Sequence, residues 1–228
     1  WWNNISYVPQ AAQSVLNPII RLKKQFLDSI PKEDRKNETE AQTLERVAKA
    51  LKDNRMEARV VETPEELVEA LRGLLPQGAS VATGGSMTLA ETGVKALLEG
   101  GGYDYYYRGR TGADGQPLDV YRAAFSCDWY LSSANAITED GFLYNVDGNA
   151  NRVAALCYGP KRVAVVAGFN KVVRDLPAAA ERVRAIAAPA NCIRLEKKTP
   201  CAVTGRCMDC KSPDHICCDT VIQGFQRD

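Results

Sequence analysis

The most restrictive feature of this sequence is the alternation of strand-like and helix-like patterns between residues 57 and 187. Short apolar runs at 79–83, 129–132 and 161–167 have the length and composition of buried strands. Amphipathic or alanine-rich segments separate and follow these runs, and two of them begin with a capping residue followed by proline. Because strands that alternate with helices usually pair in parallel, the pattern predicts an α/β fold with a mostly parallel sheet flanked by helices.

The two ends of the chain differ from this α/β region. Residues 1–57 are predicted to be helical, since apolar residues recur at helical spacing over 41–51. The composition changes again after Pro200, where cysteines become frequent. We therefore expect a helical N-terminal segment over 1–57, an α/β domain over 58–200 and a cysteine-rich, metal-binding tail over 201–228.

The first elements of the α/β domain follow one another closely. The run 57–62 contains two adjacent valines and is predicted to be a strand. Thr63 and Pro64, followed by two glutamates, are typical of a helix start, and we expect this helix to end near Leu75.

The charge balance argues against two large classes of partner. The chain has 228 residues, with 29 Lys+Arg against 28 Asp+Glu and a formal net charge of +1. Such a chain has little electrostatic attraction to nucleic acids or to anionic membranes. No apolar run approaches the roughly 20 residues of a membrane helix, and no secretory signal pattern is present at the start of the sequence. We expect a cytoplasmic protein without nucleic-acid binding or membrane insertion, for which a homo-oligomer is one possible state.

A glycine-rich turn follows the predicted strand at 79–83. Gly84 and Gly85 let the backbone come close to a ligand, and the hydroxyls of Ser86 and Thr88 lie beside the free N–H groups of a helix start. These features predict an anion-binding turn. The alternative is a tight strand-to-helix connection that Ser86 caps. The spacing matches neither a Walker A loop nor a dinucleotide-binding motif.

Polar residues also follow the later predicted strands. Glu139 could act as an acid, a base or a nucleophile, and Arg152 could bind a carboxylate or phosphate. The alternative is ordinary turn chemistry, since Asp-Gly and Gly-Asn pairs are common in turns. Because ligands of open α/β sheets bind at the carboxyl ends of strands, we predict a pocket for a small anionic metabolite there. Outside the glycine turn, the predicted ligand-binding residues are Asn135, Thr138, Asn149, Arg152, Asn170 and Lys171.

Five of the eight cysteines lie between positions 201 and 218. Cys207 and Cys210 are separated by two residues, a spacing that presents two thiolates to one metal centre. Cys201 and either Cys217 or Cys218 would complete four ligands, with Cys217 as our assignment. The irregular spacing favours a 4Fe–4S cluster over a zinc ribbon, which prefers two similar knuckles, and disulfides are a further alternative. The remaining thiols, expected to be core or scattered residues, are Cys127, Cys157 and Cys192.

Four motifs in this order resemble the LUD-domain family, the lactate-utilisation proteins of the C-subunit type. Together they span about residues 79–190. The motifs are Gly84-Gly85-Ser86-x-Thr88-Leu89, Ser133-Ala134-Asn135-Ala136-Ile137-Thr138-Glu139-Asp140-Gly141, Asn149-Ala150-Asn151-Arg152-Val153-Ala154-Ala155 and Gly168-Phe169-Asn170-Lys171-Val172-Val173.

The resemblance implies a fold similar to the ribose-phosphate isomerase and CoA-transferase superfold, in which the first glycine turn faces the ligand. It also implies a link to the oxidation of lactate to pyruvate beside iron–sulfur partner subunits. Glu139 would then correspond to the glutamate nucleophile of CoA transferases. The acidic segment and lysine–glycine loop of ribose-phosphate isomerases are missing, which argues against sugar-phosphate isomerisation.

Three functional hypotheses follow. The first is an oxidoreductase that binds a hydroxy or oxo acid and carries a C-terminal 4Fe–4S cluster. The second is an accessory electron-transfer or binding subunit, with a structural 4Fe–4S cluster or zinc and no catalysis of its own. The third is a ligand sensor that zinc stabilises.

Overall fold

The structure, a computed structural model, describes residues 39–112 and 114–227. Of the helical segment expected over 1–57, residues 1–38 lie outside the described residues. The part that is described contains a 14-residue helix with Thr39 as its N-cap, and Thr39 and Gln42 form a reciprocal capping box. No helix within the described ranges is long and apolar enough to cross a membrane.

The described residues form two four-stranded sheets. In chain order the strands are β1 (Ser80–Thr83), β2 (Asp104–Tyr106), β3 (Trp129–Ser132), β4 (Ala136–Thr138), β5 (Leu143–Asp147), β6 (Arg162–Val165), β7 (Val172–Val173) and β8 (Asp219–Gln223). The first sheet has the order β2-β1-β3-β6, and all its neighbouring strands are parallel. This sheet confirms the predicted α/β fold.

Helices connect the parallel strands, as the alternating pattern predicts. They are α1 (Glu40–Asp53), α2 (Pro64–Leu74), α3 (Met87–Glu91), α4 (Val94–Glu99), α5 (Val120–Ala123), α6 (Asn151–Cys157), α7 (Leu176–Arg182), α8 (Ala188–Arg194) and α9 (Pro200–Thr204). The predicted start of α2 is confirmed, because Thr63 accepts a hydrogen bond from the backbone N–H of Glu66 at 3.1 Å. The helical segment after the glycine turn is divided in two, since Gly93 adopts a left-handed conformation (φ +78°) and separates α3 from α4.

The strand predicted over 57–62 is also wrong. The segment forms no strand and pairs with no strand of the described residues. Val61 is buried in the main core instead, and the N–H of Glu62 is bonded to the side chain of Glu66 at 2.8 Å. The segment is therefore held by burial of the Val61 side chain and by the hydrogen bond of Glu62 at the start of α2. A strand would instead be held by backbone hydrogen bonds to its neighbour.

The second sheet is mixed and has the order β7-β4-β5-β8. β4 pairs with β7 in parallel, whereas β5 is antiparallel to both β4 and β8. β8 comes from the cysteine-rich tail, and all five of its residues pair with β5. The tail therefore contributes a strand to the second sheet.

A long helical segment leads from the second sheet to the tail. α7 continues through a π-helical turn (Val183–Ala187) directly into α8. A π turn inserts one extra residue per turn and is frequently found at functional sites. Here it lies between Arg182 and Cys192, so it sets the relative orientation of these two side chains.

One apolar core supports both sheets. Val81 and Leu131 contribute to it from the parallel sheet and have no exposed surface. Ile137, Leu143 and Val172 contribute from the second sheet. Because both sheets share this core, the strand ends at their junction are held in fixed positions.

Candidate functional site

The carboxyl ends of β1 and β3 meet at Gly84. Its N–H donates to the carbonyl of Leu131 at 2.9 Å, which continues the strand pairing by one residue. A Cβ at this position would lie 2.8 Å from Ser132 Oγ and 3.2 Å from Arg152 Cδ. Only glycine fits this approach, so the predicted turn is packed directly against Arg152.

The rest of the glycine turn is more open. Gly85 is exposed, and a Cβ there would meet only Arg108 Nη2, at 3.9 Å. Ser86 caps α3, because its Oγ accepts from the N–H of Leu89 at 3.4 Å. Thr88 is buried in α3 and directs its hydroxyl towards Lys171.

Lys171 is the most enclosed charged residue of the strand-end region, with 5% of its surface exposed. It ends the short 3-10 turn before β7, and its Nζ donates to Ser133 Oγ at 2.7 Å and to Thr88 Oγ1 at 3.1 Å. Among the described residues, no carboxylate lies within 4.0 Å of this nitrogen. Burial, reinforced by the charges of Arg182 and Arg152, lowers the pKa of Lys171 to about 7.

Arg152, at the start of α6, is already saturated with protein acceptors. Nη1 donates to the carbonyl of Ser133 at 3.1 Å and to Asn145 Oδ1 at 2.7 Å. Nη2 donates to Asn135 Oδ1 at 3.0 Å and to the carbonyl of Val146 at 2.8 Å. These four bonds use all the protons of the two terminal nitrogens. Arg152 thus ties the loop after β3 to β5 and supplies positive charge, while few of its protons are left for a ligand.

Arg182, at the end of α7, has more capacity for a ligand. Its Nε donates to the carbonyl of Asn170 at 3.0 Å, and its Nη1 donates to the carbonyl of Asn135. Within the described ranges, Nη2 has no hydrogen-bond acceptor. Burial lowers the pKa of Arg182 to about 10, so the guanidinium is charged at neutral pH.

Asn145, in the middle of β5, carries an unsatisfied donor. The residue is 1% exposed, and its Oδ1 is held by Arg152, yet its Nδ2 has no hydrogen-bond partner among the described residues. A buried amide nitrogen without a partner is rare, because leaving it unpaired costs about 1–3 kcal/mol. Arg152, Lys171, Arg182 and Asn145 are called the cation cluster below.

The structure brings only some of the predicted ligand-binding residues to the cation cluster. Gly84, Thr88, Asn135, Arg152 and Lys171 lie in it or in direct contact with it. The side chains of Asn149 and Asn170 are exposed, although the carbonyl of Asn170 binds Arg182. Gly85 and Ser86 lie one turn away.

Glu139 and Thr138 lie at the opposite end of β4 from Asn135. Glu139 forms an ion pair with Arg46 of α1 at 2.6 Å, and its side chain is one-third exposed. Thr138 is buried in a turn, where its hydroxyl bonds to the side chain of Asp140 and to the N–H of Phe142. The structure therefore does not bring Glu139 to the cation cluster, and its catalytic role stays a prediction.

Four of the five cysteines of the tail line one cavity of about 260 Å³. All four predicted ligands are in its wall, whereas Cys218 is exposed and is not. Cys192 of α8, which the sequence analysis treated as a core or scattered thiol, joins them. The cysteine cavity is thus lined by Cys192, Cys201, Cys207, Cys210 and Cys217, together with His215.

Local structure explains how the tail folds around this cavity. α9 ends at Gly205, which adopts a left-handed conformation (φ +73°) and turns the chain back. The N–H of Cys207 then bonds to the carbonyl of Arg184 at 3.0 Å, and the Arg184 side chain pairs with Asp209. These contacts dock the Cys207-to-Cys210 loop on the π turn.

The thiols lie close enough to influence one another. Burial raises the pKa of Cys217 to about 11, and the neighbouring cysteines of the cavity raise it further. Burial also raises the pKa of Cys192, which is hydrogen-bonded to Cys201. Thiols with raised pKa values keep their protons at neutral pH. A bound metal cation would displace these protons, because a coordinating thiol is deprotonated.

The donor set fits an iron–sulfur cluster. Soft thiolates are the ligands that iron–sulfur clusters and zinc prefer, and five of them surround one cavity. Among the described residues, no three histidine, cysteine or acidic side chains converge closely enough to surround a single metal ion. Residues that would hold a cluster are Cys201, Cys207, Cys210 and Cys217, with Cys192 as a further thiol.

β5 separates the cation cluster from the cysteine cavity. Successive side chains of a strand point to opposite faces, and Asn145 belongs to the cation cluster while Tyr144 and Val146 line the cysteine cavity. The carbonyl of Val146 also accepts from Arg152. The two sites are therefore neighbours across a single strand.

Sequence reasoning missed several of these residues. Ser133 lies in a motif that was noted and Asn145 in a polar stretch after a predicted strand, but neither was assigned to the site. Arg182 gave no signal, since it reaches the cluster only through the tertiary fold. Eight residues separate Cys192 from Cys201, a spacing typical of no metal motif. The helical pattern of this segment did not indicate that the Cys192 side chain on α8 would face the tail.

These features define an α/β protein with a cationic strand-end site beside a thiol-lined cavity. A model of the LUD domain matches residues 44–227, which shows that the chain belongs to the LUD-domain family. No curated protein matches the chain.

Two solved structures are similar over about two thirds of this chain. One is the tetrameric eIF2B-beta2-delta2 complex from C. thermophilum, with 16% identity, a TM-score of 0.36 and coverage of 68% of this chain and 55% of the other. The second is eIF2B delta from Chaetomium thermophilum, with 15% identity, a TM-score of 0.36 and coverage of 69% and 63%. The chain thus spans less than two thirds of either matched chain.

Proposed function

We propose that this protein binds a small hydroxy or oxo acid at the cation cluster and holds a 4Fe–4S cluster in the cysteine cavity. In this proposal it is an oxidoreductase of the lactate-utilisation type. The observation that carries the ligand half is the unsatisfied Nδ2 of Asn145, a buried side chain whose Oδ1 accepts from Arg152. A carboxylate would give this nitrogen an acceptor and would offset the positive charge.

The free donors match a carboxylate with a neighbouring oxygen. Asn145 Nδ2, Arg182 Nη2 and the third proton of Lys171 Nζ remain for the two carboxylate oxygens. The hydroxyls of Ser133 and Thr88 surround Lys171 and can bond the 2-hydroxyl or 2-oxo group. In its neutral form Lys171, whose pKa is about 7, lacks that third proton and can instead accept a proton from a bound hydroxy acid.

A bound 4Fe–4S cluster would supply electron transfer. The tail thiols would hold it, and β5 would keep it on the opposite face of the strand from the acid. The cytoplasm is reducing, so cysteines there remain in the thiol form that can bind a cluster. This fits our proposal that the protein is cytoplasmic.

Asn145→Asp tests the ligand site. The new carboxylate keeps the acceptor for Arg152 but replaces the free donor with a negative oxygen, so we expect affinity for lactate and pyruvate to fall at least about tenfold. Isothermal titration calorimetry measures this, with neutral lactamide as the uncharged comparison ligand. Gln77→Glu adds the same charge at an exposed position before β1 and should bind as the wild type does. Equal affinity in Asn145→Asp and the wild type would contradict the proposed site.

A specific observation favours a second candidate, an accessory electron-transfer subunit. Val203 is 89% exposed, and the large apolar side chains of Met208 and Ile193 are also exposed beside the cysteine cavity. Such side chains suit contact with a partner, here an iron–sulfur subunit. Turnover of a hydroxy acid by the purified chain alone would exclude this candidate, whereas turnover only after addition of a partner subunit would support it.

A further inference from the structure

The surroundings of Lys171 are those of a reactive amine rather than those of a lysine in an ion pair. Its nitrogen contacts two neutral hydroxyls, Ser133 Oγ and Thr88 Oγ1, and one N–H remains free. Two guanidinium groups, Arg152 and Arg182, are close enough to act on its charge. A buried lysine beside other cations is the arrangement in which lysine amines become nucleophiles towards carbonyl groups.

We propose that Lys171 Nζ forms an imine with the C2 carbonyl of a 2-oxo acid bound in the cation cluster. This inference rests on the proposed function, because it needs the carboxylate of the acid to bind beside Arg182 and Asn145. The proposal places the C2 carbon, which is bonded to that carboxylate, next to Lys171 Nζ, which contacts the hydroxyls of Ser133 and Thr88.

The step balances without an oxidant or a reductant. The lone pair of Nζ attacks C2, a C–N bond forms, and the carbonyl oxygen takes up a proton. Loss of water then breaks the C–O bond, and the two protons of the amine leave with that oxygen. Ser133 and Thr88 both contact Nζ and can pass these protons.

The charged groups around Lys171 fit this chemistry. Arg152 of α6 and Arg182 of α7 disfavour the protonated amine, whereas Glu91 of α3 favours it. Burial raises the pKa of Glu91 to about 7, with Lys171 opposing the shift, so this carboxyl can exchange a proton near neutral pH. We therefore expect imine formation to increase as the pH rises through about 7.

Borohydride trapping tests the inference directly. The full chain is incubated with pyruvate as the probe, reduced with sodium borohydride, digested and analysed by mass spectrometry. We expect Lys171 to gain the mass of pyruvic acid less one oxygen atom. An excess of lactate, which has no carbonyl, should compete and reduce the labelling. The variant Lys171→Met should not be labelled at this position, and labelling should remain in Lys52→Met, which alters an exposed lysine.

A parallel binding measurement separates this inference from the proposed function. Circular dichroism first shows that Lys171→Met is folded. If calorimetry shows that pyruvate binds but Lys171 is not labelled, the imine is excluded and the acid site stands. If pyruvate neither binds nor labels, both proposals fail. Equal labelling of Lys171 and of exposed lysines would also overturn the imine, since it would reflect unselective chemistry.

Discussion

Lys171, which is buried, and Glu91, which is half-buried, carry opposite charges and have strongly shifted pKa values. The pKa of Lys171 is lowered from 10.5 to about 7, and that of Glu91 is raised from 4.5 to about 7, mainly by burial in each case. The lysine shift disfavours the fold at low pH, and the glutamate shift disfavours it at high pH. Near pH 7 both costs are present, which is consistent with a site that gains stability when an anion binds.

Lys171→Met should stabilise the ligand-free protein, by an amount that depends on pH. Because the folded-state pKa is below the unfolded value, the unfolded chain binds more protons between pH 7 and 10.5, and wild-type stability rises with pH over this window. The variant has no charged amine to bury. Below pH 7 we therefore expect its free energy of unfolding to exceed that of the wild type by about 1–3 kcal/mol, a difference from which the loss of the two hydrogen bonds of Lys171 is already subtracted. The difference should shrink towards pH 10.

Urea denaturation at several pH values measures this difference. Lys52→Met is the matched control, since Lys52 is exposed, and its effect should be small at every pH. A stability difference for Lys171→Met that stays constant from about pH 6 to pH 10 would show that the lysine is not protonated differently in the two states.

At the scale of residues, the sequence predicted the charged groups better than their roles. Arg152 was expected to bind the ligand, but its terminal nitrogens hold the protein together through four hydrogen bonds. Hydrogen-bond capacity depends on which backbone carbonyls lie nearby, and only the tertiary fold determines that. Lys171 was correctly expected near the strand ends, whereas its burial follows from packing against α3 and could not be predicted.

At the scale of elements, the helical segment from α7 to α8 is the covalent link between the two sites. It carries Arg182 into the cation cluster and, ten positions later, Cys192 into the cysteine cavity. The π turn between them fixes their relative rotation, and the docked Cys207-to-Cys210 loop bonds to the same turn through Arg184.

Deletion of Ala185 should convert the π turn to α-helix and release the Cys207-to-Cys210 loop. Removal of the extra residue restores α-helical hydrogen bonding, so the carbonyl of Arg184 would pair within the helix and no longer accept from the N–H of Cys207. We expect iron content to fall by more than half and the tail to become susceptible to proteolysis. Limited proteolysis and iron analysis measure these effects.

Ala185→Gly is the control for this deletion. It keeps the register of the helix and costs only about 1 kcal/mol, so iron content should stay at the wild-type value. If the deletion retains full iron content, the π turn does not position the thiols.

The parallel sheet was predictable, while most of the second sheet was not. β1, β3 and β6 fall within short, mostly apolar stretches, which predict strands from local sequence alone. The burial expected for β6 is wrong in its first half, since Arg162 and Val163 are exposed. β4 and β7 have three and two residues, too few for a periodicity signal. β8 lies within the cysteine-rich tail, where the metal-ligand pattern obscured its strand character.

At the scale of the whole molecule, the second sheet joins the family fold to the tail. The LUD-domain match extends through this tail to residue 227, in agreement with the pairing of β8 with β5. β5 thus has the tail strand as its neighbour, the cation cluster on one face and the cysteine cavity on the other. A ligand at either site is positioned to affect the other through this one strand.

The most direct test of the account is the metal content of the anaerobically purified protein. Iron, zinc and acid-labile sulfide are measured for the wild type, for Cys210→Ser, and for Cys157→Ser as an exposed control thiol outside the cavity. The account predicts iron and sulfide in equal amounts with little zinc, loss of both in Cys210→Ser and no change in Cys157→Ser. Zinc without sulfide, or iron that persists in Cys210→Ser, would contradict it.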